Sequence, residues 1–112
     1  MFDTHEAVFT ALADATRRDL LTKLAQESPR TATQLAKEYP ITRQGIMKHL
    51  DLLAQAGLVQ AQSAGREKRY TFTPQPLNEV NDWIAALNNL WAERLQRLKD
   101  FIENDPSLKA DG

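Results

Sequence analysis

The chain has 112 residues, of which 42% are hydrophobic and 26% are charged, and its formal net charge is −1. These values predict one soluble globular domain over residues 1–112 and exclude a disordered chain. Cysteine is absent, which excludes a disulfide scaffold and any thiolate metal site, and without a signal peptide or a membrane-length apolar run we expect a cytoplasmic protein.

Two helices are predicted in the first part of the chain. An apolar stripe that includes Val8 and Phe9 predicts a helix over residues 5–13. Asp14 suits the N-cap of a second helix over residues 15–26, because a short carboxylate can accept an unpaired backbone N–H of the first turn.

Two further helices follow, with a tight turn between them. Thr31, with Gln34 three residues later, resembles a capping box that begins a short helix ending before Pro40. Thr42 suits the N-cap of a longer helix that runs to about Ala56, with Gly57 as the expected C-terminal glycine. A short helix, a tight turn and a longer helix form the helix-turn-helix pattern.

A β-hairpin is predicted directly after the longer helix. Residues 58–62 and 69–73 suit strands, and Gly65 supplies the freedom that the turn between them needs. Such a hairpin is a wing, and residues 31–73 then form a helix-turn-helix with its wing. Its tip would carry three basic residues, which are Arg66, Lys68 and Arg69.

The last predicted helix, over about residues 77–104, carries more apolar side chains than one face can bury. Two apolar faces require two partners, and we expect these to be the helix's own domain and a second copy of the chain. We predict that residues 1–13 and 77–104 form the dimer and that 105–112 are a loose tail. The candidate interface residues are Val8, Phe9, Trp83, Leu87, Leu90 and Trp91.

Positive charge is concentrated in the middle of the sequence. Residues 42–72 carry five basic and two acidic side chains, whereas most acidic residues lie outside this segment. A basic segment in a weakly acidic chain indicates one surface that faces an anion.

Three segments together resemble a known protein family. They are FTALADATRRDLLTKL at 9–24, ITRQGIMKHLDLLAQAGLV at 41–59 and GREKRYTF at 65–72. Their order and spacing resemble the arsenic-repressor (ArsR-type) winged helix-turn-helix regulators over about residues 5–104, and the last helix resembles the subgroup without a metal site. The resemblance implies a mainly α dimer of about five helices with a two-stranded β-hairpin wing.

The same resemblance implies sequence-specific binding to double-stranded DNA, as a homodimeric repressor on an inverted-repeat operator. The front of the longer helix would enter the major groove, where arginine can hold guanine and glutamine can hold adenine. Basic side chains of the wing would lie along phosphates. The candidate DNA-binding residues are Thr42, Arg43, Gln44, Met47, Lys48, His49, Arg66, Lys68 and Arg69.

Alternatives stay open at several positions. Met47 stands where the family often has serine, so it either contacts a thymine methyl or packs within the protein. His49 would contact a phosphate or make a structural hydrogen bond. Gly45 indicates a close approach, either of DNA or of the preceding helix. For one of Arg17 and Arg18 we expect a structural ion pair.

Metal sensing is a known activity of the family, but the residue types argue against it here. Thr31 and Thr33 stand where sensing members carry thiols, and the last helix has no histidine. Carboxylates alone make a poor site for zinc or copper. We therefore predict no metal and no cofactor. We also predict no enzymatic activity, because the chain has no cysteine, only two histidines and no glycine-rich phosphate loop. The alternative functions are a winged-helix assembly module without DNA contact and a sensor that responds to a metal, a small molecule or a protein.

Overall fold

The fold is mainly helical with a small sheet. The computed structural model describes residues 2–105 and 107. Its elements are α1 (Phe2–Leu12), α2 (Ala15–Gln26), β1 (Arg30–Thr31), α3 (Ala32–Ala36), α4 (Arg43–Gln55), β2 (Val59–Ala64), β3 (Glu67–Phe72) and α5 (Gln75–Asn104). The predicted winged helix-turn-helix fold is therefore confirmed.

Side-chain caps fix the beginnings of α2, α3 and α4. Asp14 accepts a backbone N–H at 3.0 Å at the start of α2. Thr31 and Gln34 form both halves of a capping box at the start of α3. Thr42 caps α4 by accepting the N–H of Gly45 at 3.0 Å. All three predicted caps are confirmed, because each local sequence supplies an acceptor for the unpaired N–H groups of a first turn.

The core of the helix-turn-helix is made of leucine and isoleucine. Leu35 of α3 and Ile46 and Leu50 of α4 are fully buried, as are Leu20 and Leu24 of α2. Each such side chain stabilises the fold by about 1.5–3 kcal/mol relative to an exposed one. This packing holds α4 against α2 and α3, so its opposite side is left outward.

The wing differs from its prediction in length and in strand number. β2 and β3 pair as far as Ala64 and Glu67, so the turn consists of Gly65 and Arg66 alone. Gly65 has a φ of 66°, which suits the first central position of a II′-type hairpin turn. A further strand, β1, pairs with β3 on its other edge and gives the order β1-β3-β2. Sequence reasoning missed β1 because a strand of two residues has no periodicity to detect.

The chain divides into two compact units, with the division between Glu79 and Val80 in α5. The prediction of one domain stays a prediction, and most of the predicted tail lies outside the described residues. α5 begins at Gln75, two positions before its predicted start, because proline is tolerated in the first turn of a helix. Although α5 has 30 residues, none of the helices in the described ranges is long and apolar enough to cross a membrane.

Candidate nucleic-acid interface

The α4 helix has one buried and one exposed side. Ile46, Leu50 and Leu53 have no exposed surface, and they recur at the three- and four-residue spacing of one helix face. Lys48 lies on the opposite side, whereas Arg43 lies at the edge of the apolar face in the first turn, and both are exposed. The helix therefore presents cationic side chains near its N-terminal end while its apolar side is fixed in the core.

Gln44 and Thr42 are also exposed at this end of α4. The Thr42 oxygen accepts the Gly45 N–H, so the threonine hydrogen is left as a donor. Gln44 lies one helical turn before Lys48, and side chains four positions apart share a face. These side chains are oriented so that a ligand beside the start of α4 could contact them together.

A hollow lies between α4 and the wing, with a volume of about 100 Å³. It brings together the predicted contacts Arg43, Met47, Arg66 and Lys68, although they come from separate parts of the sequence. The remaining lining residues are Ala32, Glu67 and Tyr70. Met47 is half-buried and lines the hollow, so part of its side chain packs within the protein while part faces the hollow.

A carboxylate and a buried phenol set the electrostatics of this hollow. Glu67 lies between the basic residues Arg66 and Lys68 at the end of the wing. Burial raises the pKa of the Tyr70 hydroxyl, and the charge of Asp51 raises it further. Tyr70 therefore stays neutral, and the charges of the lining come from the basic side chains and Glu67.

A hydrogen-bond relay connects α4, α3 and the wing at the hollow. Arg43 Nε donates to Thr33 Oγ1 at 3.1 Å, and the Thr33 hydroxyl donates to Glu67 Oε1 at 2.8 Å. Sequence reasoning did not assign Thr33 or Glu67 to the interface. The pairing spans 34 positions of the chain, and no local pattern signals a contact of that range.

Lys68 and Arg69 lie on opposite faces of β3. Successive residues of a strand point to opposite sides of the sheet. Tyr70 is buried and lines the hollow together with Lys68, whereas Arg69 is exposed and is not part of that lining. The sequence prediction placed all of the wing's basic residues at a longer tip. The observed turn is shorter, so Lys68 and Arg69 lie in β3 instead and point to opposite faces of the sheet.

His49 makes a contact within the protein. Its Nδ1 atom lies 3.4 Å from Arg17 Nη1, and the ring is half-buried. Arg17 also donates to the carbonyl oxygens of Ala11 at 2.7 Å and Thr10 at 3.0 Å. The structural hydrogen bond considered for His49 is therefore present, and it connects α4 to the end of α1 through α2.

Arg17 and Arg18 serve the C-terminal end of α1. The Arg18 guanidinium donates to the Leu12 carbonyl at 2.7 Å, as Arg17 does to Ala11. The last carbonyls of a helix have no partner within it, and a cation there is favourable. The expected structural ion pair of one arginine stays a prediction, and the contacts described here are bonds to helix-end carbonyls.

Asp14 lies beside the same junction. The backbone N–H of Arg17 lowers the pKa of the Asp14 carboxyl, and the charge of the Arg17 guanidinium lowers it further. An ionised carboxylate at the start of α2 also complements the positive end of the helix.

The close approach at Gly45 is made by the turn before α4. A Cβ atom at Gly45 would lie 2.5 Å from Ile41 Cγ2. Of the two approaches considered from the sequence, the structure therefore has an internal contact, and it comes from the turn rather than from α3. The glycine allows the turn to lie directly against the first turn of α4.

The candidate dimer residues differ in exposure. Val8 has no exposed surface within its own chain, so it offers none to a partner. Phe9 is 42% exposed, and the four candidates on α5 are between 46% and 63% exposed. Further large apolar side chains are exposed on α5, and they are Ile84, Leu95, Leu98, Phe101 and Ile102.

The positions of metal-site thiols hold hydrogen-bonding threonines. Thr31 caps α3, and Thr33 belongs to the relay. Within residues 2–105 and 107, histidine, aspartate and glutamate form no group of three or more that could hold a metal ion.

Comparison with known proteins agrees with this geometry. A family model described as a helix-turn-helix domain matches residues 12–60. The HTH-type transcriptional regulator YuzN of Bacillus subtilis is 37% identical, across 70% of this chain and 94% of that protein. An ArsR-like transcriptional regulator from Rhodococcus sp. RHA1 has a similar structure, with a TM-score of 0.82 and 35% identity over 93% of this chain and 94% of its own.

The chain belongs to the ArsR family of transcriptional regulators. This membership places it among proteins that regulate transcription through a DNA-binding helix-turn-helix, as the sequence predicted. A further relative is the transcriptional repressor SdpR of Bacillus subtilis, which is 30% identical across 73% of this ArsR-family chain and 90% of that protein.

Proposed function

We propose that this ArsR-family protein is a homodimeric repressor that binds an inverted-repeat operator in a sequence-specific manner. The observation that carries the proposal is the hollow between α4 and the wing, which Arg43, Met47, Arg66 and Lys68 line together. A helix can enter the major groove while basic side chains of an adjacent hairpin lie along the phosphates. Repression is supported by the similarity to the repressor SdpR.

Within this proposal the residues have different roles. Arg43 and Gln44 contact base edges, because their side chains can each make two hydrogen bonds to one base. Thr42, Lys48 and Arg66 contact phosphates, as does Lys68. Met47 offers a methyl group for contact with thymine. His49 and Arg69 stay predictions, since His49 already bonds within the protein and Arg69 lies outside the hollow.

Dimerisation is supported by the apolar side of α5. Leu90 is 63% exposed and Trp91 is 57% exposed, and they belong to a larger exposed apolar set on the same helix. Contiguous apolar surface of this kind on a soluble protein marks an interaction site. A second copy of the chain is the occupant that a two-fold repressor requires, because two α4 helices then face half-sites one DNA turn apart, about 34–36 Å.

The proposal assigns the protein no chemical reaction, since binding alone blocks access to a promoter. Its DNA target also implies an intracellular site of action.

Selection from a pool of random duplexes, followed by fluorescence anisotropy at several salt concentrations, tests the proposal. We expect an inverted repeat to emerge and its log affinity to fall with log salt, by a slope of about −0.9 per phosphate contact. Arg43→Ala combined with Lys48→Ala should abolish specific binding. The matched control removes the same charge from exposed α5 positions, as Arg97→Ala with Lys99→Ala.

Two outcomes would count against the proposal. Binding to no duplex at low salt would favour the assembly module instead of a DNA-binding protein. Equal loss of binding in the α4 variant and the α5 control would mean that overall charge, and not the surface of α4, determines affinity.

A further inference from the structure

Chemistry fixes the direction of every hydrogen bond in the relay. An arginine Nε–H can only donate, and an ionised carboxylate can only accept. Thr33 has a single hydroxyl hydrogen, which its 2.8 Å contact with Glu67 uses. The Thr33 oxygen is then left as an acceptor towards Arg43 Nε at 3.1 Å. Glu67 therefore sets the orientation of the hydroxyl that holds Arg43.

The relay uses one side of the Arg43 guanidinium and leaves the other side available. With Nε bonded to Thr33, the two Nη groups keep a planar pair of donors. The O6 and N7 atoms of guanine present two acceptors side by side in the major groove, and arginine binds them as a pair. Arg43 is exposed, so this pair of donors is accessible from outside the protein.

We propose that Thr33 and Glu67 are positioning residues that orient Arg43 towards a guanine, so that the wing takes part in reading the DNA sequence. This inference rests on the proposed DNA-binding function. It assigns the wing a role besides phosphate contact, because Glu67 belongs to β3 and reaches the base-reading side chain through Thr33 of α3.

The position of Glu67 supports a role in specificity. A carboxylate beside a DNA-binding surface repels phosphates and weakens binding to every sequence alike. Glu67 lies in the lining that Arg43, Arg66 and Lys68 share, so this cost applies here. By orienting Arg43, Glu67 also favours binding to guanine over the other bases. Its combined effect is weaker binding to DNA of any sequence and stronger discrimination between bases.

Base discrimination at each operator position provides the test. The wild-type operator is selected from random duplexes, and each of its base pairs is then replaced in turn. Affinities are measured for the wild type and for Arg43→Ala, Thr33→Val, Thr33→Ser and Glu67→Ala, of which the last removes the acceptor of the Thr33 hydroxyl. Thr33→Val keeps the side-chain shape without the hydroxyl, whereas Thr33→Ser is the matched control that keeps it. Circular dichroism and urea unfolding establish that each variant is folded.

Arg43→Ala should lose the preference for guanine at one position in each half-site. Thr33→Val and Glu67→Ala should reduce that same preference by roughly tenfold, within the range of one arginine–guanine pair, and leave other positions unchanged. Thr33→Ser should retain it. Glu67→Ala should also raise affinity for all duplexes, because it removes a negative charge, whereas Thr33→Val should leave the salt slope unchanged.

Some results would overturn the inference and leave the DNA-binding function intact. One is a wild type that selects an operator while Thr33→Val and Glu67→Ala keep its full guanine preference. Another is a stronger guanine preference in these variants, which would mean that the relay restrains Arg43. Selection of no operator by the wild type would overturn both proposals. If Thr33→Val does not fold, Glu67→Ala tests the same relay from the half-exposed wing position.

Discussion

The Nη1 atom of Arg17 lies 3.4 Å from the Nδ1 atom of His49. Because arginine can only donate, Nδ1 accepts in this contact, and the imidazole carries its hydrogen on Nε2. That second nitrogen is left as a donor. The same guanidinium also binds the carbonyls of Ala11 and Thr10, so one side chain fixes the junction of α1, α2 and α4.

Replacement of Arg17 should weaken this junction. We expect Arg17→Ala to lower the free energy of unfolding by about 1–2 kcal/mol, because it leaves hydrogen-bond acceptors at a helix end without their donor. Arg17→Lys should recover only part of the loss, since an ammonium group lacks the planar fork. Urea unfolding measures the effect. Arg18→Ala is the control, because Arg18 is exposed and donates to one carbonyl, and equal losses in both variants would contradict the bridging role.

The Asp14 cap should make stability depend on pH in the acidic range. The backbone N–H of Arg17 lowers the Asp14 pKa below 3.8. A lowered folded-state pKa stabilises the native state above the unfolded-state value, and this contribution is lost as pH falls through the folded-state value. We expect the difference in urea midpoint between the wild type and Asp14→Ala to be full at neutral pH and to shrink below pH 3.8.

Asp14→Asn separates the charge from the cap, because asparagine is a good N-cap without a titrating group. The difference in urea midpoint between Asp14→Asn and Asp14→Ala should therefore not shrink at acidic pH in the way that the wild-type difference does. A constant gap between wild type and Asp14→Ala from neutral to acidic pH would contradict the assignment.

Gly45→Ala should destabilise the protein although alanine favours helices. The new Cβ would lie 2.5 Å from Ile41 Cγ2, and a β-branched side chain has little rotamer freedom to move away. In an Ile41→Ala background the clash is absent, so the same substitution should stabilise by up to about 1 kcal/mol. Thermal unfolding of the wild type, the two single variants and the double variant measures the coupling between Gly45 and Ile41. Stabilisation by Gly45→Ala in the wild-type background would show that the turn adjusts freely.

The faces of β3 predict unequal effects of its neighbouring basic residues. Lys68→Ala should weaken binding uniformly across sequences and reduce the salt slope by about 1, the effect of one lost phosphate contact. Arg69→Ala should change the slope less, because Arg69 lies outside the hollow that Lys68 lines. Anisotropy titrations at several salt concentrations compare the two variants at equal charge. A larger effect of Arg69→Ala would place the DNA on the other side of the wing.

Leu90→Asp should dissociate the proposed dimer while the chain stays folded. Leu90 is 63% exposed, so a charge there costs little within one chain but opposes burial against a second copy. Sedimentation across a range of protein concentrations measures the association. Asn88→Asp introduces the same charge on the same helix at a position outside the apolar set. Dissociation by Asn88→Asp alone would place the interface on another side of α5.

Local sequence determined the helices and their beginnings. Asp14, Thr31 and Thr42 are caps whose acceptors act within three residues, so their effect can be read from neighbouring letters. The apolar spacing of Ile46 and Leu50 likewise decided which side of α4 is buried. The sequence also supplied the basic candidates of the proposed DNA-binding surface, because residue type and helix position are local properties.

Only the tertiary structure decided how these parts meet. Because the turn at Gly65 has only two residues, Lys68 and Arg69 both lie in β3. Successive side chains of a strand point to opposite faces, so the two basic residues are separated. The bridge from Arg17 to His49 and the relay from Thr33 to Glu67 join residues 32 and 34 positions apart. Such contacts depend on the packing of whole helices against the sheet, which leaves no periodic signal in the sequence.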